Sequence, residues 1–144
     1  MELHIVKGTG KRTEAIARGH HVICDQPLGE GGSDAGMTPP ELMLAAIGCC
    51  AMHYAAEYLK ARNLPRENVE IKVSGEKGGG PVRIVEIGIT VNAPGLEHRM
   101  REGLLKAVEA CLLHRTLSDP PRVQIGITTS AMEDAVEPLA QPVS

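Results

Sequence analysis

Thr38-Pro39-Pro40-Glu41-Leu42-Met43-Leu44-Ala45-Ala46-Ile47-Gly48-Cys49-Cys50 is the stretch on which the fold turns. Thr38 suits a helix N-cap, and Pro39 suits the first helical position, where no backbone N–H is needed. Glu41 follows the cap by three residues, the spacing of a capping box. From Leu42 to Ala56 nearly every position is apolar or small, with His53 the main exception. A helix apolar on all sides must be surrounded by protein. In a chain of 144 residues, a partner subunit would help to supply that surrounding. Polarity returns at Glu57, Lys60 and Arg62, and Asn63-Leu64-Pro65 ends the segment.

Upstream of this helix, Leu3 to Lys7, Glu14 to Arg18 and His20 to Asp25 read as three short strands. Gly8-Thr9-Gly10 and Arg18-Gly19 supply the turns of an antiparallel meander. The Gly-rich run Leu28 to Gly36 has no Lys and lacks P-loop spacing, so it reads as a flexible connector rather than a phosphate cradle. Downstream, Val69 to Val73 and Ile87 to Val91 alternate with the period of half-buried strands, joined through Gly78-Gly79-Gly80-Pro81. A second helix is expected after Pro94-Gly95. Its apolar positions Leu96, Met100, Leu104, Val108, Cys111 and Leu112 recur every three or four residues, which turns Cys111 toward the core. A last strand is expected at Val123 to Ile127, before a tail at about 133–144 that frays. Strands, helix, strands, helix and strand favour a single α+β domain over 1–144 with a mostly antiparallel sheet. Its parts are a meander at 1–27, the loop at 28–37 and the remainder.

Composition narrows the function classes. With no Trp, no Phe and only two Tyr, the chain lacks stacking platforms for bases. The net charge of −3, without a long basic run, argues against a nucleic-acid partner. The N-terminus lacks a signal-peptide pattern. The run from Leu42 to Met52, about eleven residues, falls short of a bilayer span. Four cysteines without an export signal read as free thiols in a cytoplasmic protein, with no membrane partner.

Cys50 and Cys111 each fall in a helix-forming segment, where free cysteine often acts only as a small hydrophobe. A pair of thiols on neighbouring helices can also be redox-active. One attacks peroxide and becomes a sulfenic acid, and the other condenses with it to a disulfide. Cys50 lies about three turns into its helix, beyond the reach of the helix dipole. A cation such as Arg12, Arg18 or Arg115 would then have to activate it. Cys50, His53, Cys111 and His114 offer a competing Cys₂His₂ metal set, although mid-helix ligands would be unusual. The alternatives are a satisfied core histidine at His53 and a helix C-terminal cation at His114. His20 and His21 alternate across a strand. Glu41 is explained by the cap alone, while a functional carboxylate there would pair with the activating arginine.

Three stretches carry a resemblance to a known family. They are Gly19 to Asp25, Gly36-Met37-Thr38-Pro39-Pro40-Glu41-Leu42 leading to Cys50, and Cys111-Leu112-Leu113-His114-Arg115-Thr116-Leu117. Through them the chain resembles the OsmC/Ohr superfamily of thiol-dependent peroxidases. The resemblance implies an OsmC-like fold in which mostly antiparallel sheets wrap two central helices of an intertwined homodimer. It implies Cys50 as the peroxidatic thiol and Cys111 as the resolving one, an organic hydroperoxide substrate and an external dithiol reductant, with no cofactor and no metal. Cys49 is the rival nucleophile, better placed for packing. Pro40 stands where the Ohr branch carries the glutamate that orients its arginine, and Gly10-Lys11-Arg12-Thr13 matches that branch's arginine turn only loosely. The chain resembles the broader OsmC-like group more than Ohr proper. The alternative within the same fold is a non-catalytic protein that binds a small apolar ligand in the dimer cleft.

Overall fold

The computed structural model describes residues 1–129. Strands β1 (His4–Lys7), β2 (Thr13–Ala17) and β3 (His20–Cys24) form an antiparallel sheet in that order, each within a residue or so of its expected bounds. Arg18 and Gly19, at φ 49° and 78°, make the tight turn between β2 and β3. Two successive positive φ values give the turn a twist that matches that of the strands.

The Gly-rich connector is built rather than loose, which corrects the expectation of flexibility. Asp25, only 1% exposed, follows β3 and organises the loop. Its carboxylate accepts hydrogen bonds from the backbone N–H groups of Gln26 (2.8 Å), Ser33 (2.9 Å) and Ala35 (3.2 Å), and from the Ser33 hydroxyl (2.6 Å). Glycine is obligatory at Gly32 and Gly36, where a Cβ would sit 1.9 Å from the Gln26 carbonyl oxygen and 2.2 Å from that of Ile23. Cys24 bridges to Met37, so the loop delivers the chain directly to the next helix.

That helix, α1 (Pro39–Lys60), carries the expected N-terminus. The Glu41 carboxylate accepts from both the backbone N–H and the hydroxyl of Thr38, each at 2.8 Å. By length and composition the 22-residue helix is apolar enough to cross a membrane, well beyond the shorter run counted from Leu42 to Met52. In this fold it is a core element, packed against three others.

Strands β4 (Glu70–Gly78) and β5 (Arg83–Asn92) form a long hairpin that extends both expected strands toward the Gly-rich turn. One face of β4 lies on α1, and Gly48 permits the approach, because a Cβ there would stand 2.9 Å from Val73. A 3₁₀ turn (His98–Met100) leads into α2 (Arg101–Glu109), which lies across the C-terminal half of α1. Ala51, Ala55 and Leu59 of α1 meet Leu104 and Val108 of α2, with Ile71, Ile89 and Val91 of the hairpin packed around them. Tyr58 fixes the crossing. Its hydroxyl donates to the Met100 carbonyl (3.1 Å), Arg62 stacks 3.8 Å over its ring, and Gly103 leaves room for it.

Two expectations fail. The second helix is not continuous: α2 ends at Glu109, and a separate helix α3 (Leu112–Ser118) begins after Cys111, whose backbone is extended. Apolar spacing could not reveal the break, because Cys111 stays buried on either side of it. Val123 to Ile127 forms no strand, and Val123, Ile125 and Ile127 are 78%, 90% and 93% exposed. Alternation becomes a strand only where a neighbouring edge accepts its hydrogen bonds. The expected fraying tail at about 133–144 lies outside the described residues.

Gly103→Ala should drive a methyl into Tyr58 and cost about 1–3 kcal/mol, the usual range for overpacking, read from urea unfolding. Asp25 has its own pH signature. The Ser33 hydroxyl first, then the Gln26 and Ala35 N–H groups, hold its carboxyl well below the usual carboxylate range. The unfolded chain therefore binds the proton more readily. The stabilisation is complete above the unfolded value of about 3.9 and is lost as pH falls below it. Asp25→Asn should lower the melting temperature by several degrees at neutral pH and flatten the acid limb of the stability curve.

Candidate active site

Cys111 stands at the corner between α2 and α3, wholly buried, and its side chain serves as the N-cap of α3. Sulfur takes the place of the usual Ser, Thr, Asp or Asn oxygen. It accepts the backbone N–H of His114 at 3.3 Å, with the N–H of Leu113 also directed to it. These are the second and third helical positions, the ones an N-cap normally satisfies. Burial pushes the Cys111 thiol up, while the His114 and Leu113 N–H groups pull it down. The Cys50 thiol adds to the rise through a side-chain hydrogen bond and its charge. The two cysteines singled out in the sequence are thus brought together, Cys50 from α1 and Cys111 from the cap of α3.

Cys50 is half-buried and Cys111 is inaccessible, so solvent reaches the pair from the Cys50 side. Cys49 is exposed rather than packed, and lines a groove of about 500 Å³ with Leu44, Met52 and Val73. Among the described residues no three His, Cys, Asp or Glu side chains gather to hold a metal ion. The Cys₂His₂ alternative fails because both rings are otherwise placed. His53 is exposed on α1, edge-on to Tyr54, so it is not a core histidine either. His114 gives its Nδ1 to the Glu109 carbonyl at 2.8 Å, near the start of α3 rather than at a helix C-terminus.

Glu41 is held below its ordinary value mainly by the Thr38 N–H and hydroxyl, with Lys77 adding a smaller pull. Its carboxylate is occupied by the cap and, among the described residues, makes no ion pair with an arginine. Of the three candidate cations, Arg12 and Arg18 lie at the ends of meander strands. Arg115 lies on α3 and shares a groove with Tyr54, one helical turn beyond Cys50. A second cavity, about 560 Å³, opens between β5 and α2. Ile87, Ile89, Val91, Leu104 and Val108 line it, with Asn92, Arg101, Glu109 and His114 as polar groups.

A family model described as OsmC-like protein matches residues 31–126, a span that holds both Cys50 and Cys111. The chain belongs to the OsmC-like protein family. Solved structures agree with the OsmC-like fold. An OsmC-like protein from Mycoplasma pneumoniae aligns with a TM-score of 0.70 at 18% identity, covering 83% of this chain and 87% of the other. An organic hydroperoxide resistance protein OsmC from Legionella pneumophila aligns at 0.59 and 17% identity, covering 81% and 87%. The organic hydroperoxide resistance protein OhrB of Bacillus subtilis aligns at 0.57 and 20% identity, covering 83% and 93%. No curated protein matches this sequence.

In this OsmC-like chain the sequence missed Asp25 and the capping role of Cys111. An Asp at a strand end before a Gly- and Ser-rich loop is a signal that could have found the first. The second had none, because sulfur is not a usual cap. Cys111→Ala should remove the α3 cap and cost about 1–2 kcal/mol. Amide exchange at Leu113 and His114 should accelerate while the amides of α1 keep their protection.

Proposed function

We propose that this chain is a thiol peroxidase that reduces organic hydroperoxides, with Cys50 attacking and Cys111 resolving. The observation that carries the proposal is the meeting of the Cys50 thiol with the buried sulfur that caps α3. The Cys50 thiolate attacks a peroxide oxygen, so an S–O bond forms and the O–O bond breaks. The alkoxide takes a proton and leaves as an alcohol, with Cys50 oxidised by two electrons to the sulfenic acid. The Cys111 sulfur then attacks the Cys50 sulfur, forming S–S and breaking S–O, and hydroxide departs as water with the Cys111 proton. An external dithiol returns two electrons and two protons through two exchanges. Access favours this division of labour: Cys50 is within reach of solvent and Cys111 is not. Arg115 would act on Cys50 from this chain's own α3, and Arg12 or Arg18 from the meander.

The active form is a homodimer in a reducing, cytoplasmic setting. Large apolar side chains stay uncovered on β1, β3 and α1. Ile5 and Val22 flank Ala15 in one row of the meander and Met43 is exposed on α1, surface that a second copy would cover. A second reading, a non-catalytic protein that binds a small apolar ligand, is favoured by the aliphatic cavity between β5 and α2.

Cumene hydroperoxide with excess dithiothreitol separates the two readings. The peroxidase reading expects steady peroxide consumption, a Cys50–Cys111 link in peptide maps without reductant, and a loss of at least roughly 100-fold in Cys50→Ser, each tenfold being about 1.4 kcal/mol. Equal consumption by wild type and Cys50→Ser rejects it. Ala46→Arg, on the exposed stripe of α1, should convert a species of twice the chain mass into one of 15.3 kDa in light scattering.

A further inference from the structure

We infer that His114 is a positioning residue for disulfide closure, its ring latching α3 to the end of α2 so that Cys111 stays aimed at Cys50. The inference rests on the pairing of these thiols and deepens it.

His114 makes two hydrogen bonds across the α2–α3 corner. Its Nδ1 bonds the Glu109 carbonyl at 2.8 Å, and its backbone N–H bonds the Cys111 sulfur at 3.3 Å. A carbonyl only accepts, so Nδ1 carries the proton. Glu109 is the last residue of α2, where carbonyls lack helical partners. The ring therefore binds the group that the helix break leaves open. One residue grips the end of α2 through its side chain and the thiol through its amide, with only Ala110 and Cys111 between the helices.

This matters because closure is geometrically demanding. The two sulfurs must come to about 2.05 Å with a dihedral near 90°. Burial hinders ionisation of Cys111, and the His114 N–H is the largest influence opposing it. Without the ring bond, only the backbone bonds from Ala110 to the Lys106 carbonyl and from Cys111 to the Val108 carbonyl, each 3.0 Å, hold the link, and the first turn of α3 loses its own tie to α2. The amide then loses its fixed place on the sulfur, and the sulfur its fixed direction.

The test compares wild type with His114→Ala, His114→Asn and His114→Gln. An asparagine amide places an N–H close to where Nδ1 stands, whereas a glutamine amide reaches the position of Nε2. Each protein is oxidised with cumene hydroperoxide and, separately, with diamide, which takes two electrons and two protons as the thiols join. Formation of the Cys50–Cys111 link is followed by quenched mass spectrometry, with dimedone to trap sulfenic acid. Closure should slow about tenfold in the alanine and glutamine variants, the upper end for one lost hydrogen bond. It should return to within about twofold of wild type in the asparagine variant. Initial loss of the Cys50 thiol should be equal in all four, and trapped sulfenic acid should rise in the two slow variants. Nitrogen-15 spectra of the reduced protein should show a protonated Nδ1 on His114.

Equal closure in all four proteins with diamide overturns the inference, as does an asparagine variant as slow as alanine or an unprotonated Nδ1. Normal contrasts with diamide but no reaction with the hydroperoxide leave the latch standing and reject the peroxidase. Failure of wild type to form the link with either oxidant rejects both.

Discussion

The governing constraint is that α1 is apolar over most of its surface and needs neighbours to cover it. Burying an aliphatic side chain is worth roughly 1.5–3 kcal/mol relative to leaving it in water, so a helix of this composition dictates where its neighbours go. The hairpin β4–β5 lies along one side, and α2 and α3 close another. Small residues set how near they come: Gly48 admits Val73, and Ala51 and Ala55 admit the leucine and valine of α2. The thiol site follows from the same packing. Because α2 and α3 both lie on α1, the corner between them is pressed against it, and that corner is where Cys111 sits.

The N-terminus of α1 was legible because its signals are local. Thr38, Pro39 and Glu41 act within one turn and need nothing from elsewhere in the chain. The meander was legible for the same reason, its turns being written in glycines. Legibility ended where structure depends on partners distant in sequence. The break at Cys111 preserves the apolar spacing on both sides, so periodicity passes over it. Val123 to Ile127 has the alternation of a strand but meets no neighbouring edge among the described residues. Asp25 reads as an ordinary surface acid until the loop folds back and turns four donors toward it.

The site was half legible. Two cysteines in apolar segments suggested a pair, and the motif around Cys111 pointed to the OsmC-like family, to which the chain belongs. The resemblance gave the two sulfurs different roles, but their structural difference could not be seen. Cys50 is an ordinary helical residue on the half-open side, whereas Cys111 is a structural atom that ends one helix and starts another. That asymmetry arises from a backbone turn, and backbone turns of this kind leave little trace in side-chain patterns. His53 and His114 show the converse. Identical spacing from a cysteine made them look equivalent, yet one faces solvent and the other ties two helices together.

The loop around Asp25 makes the meander a cantilever. Its three strands pack mainly on one another, and their covalent route to the helix runs through a clasp pinned by one carboxylate and the Cys24–Met37 bridge. A hinge of loose glycines would let the sheet swing independently of α1. A clasp pinned by four donors on one carboxylate does not, so a load applied to the sheet is carried as torque to the first turn of the helix that bears Cys50.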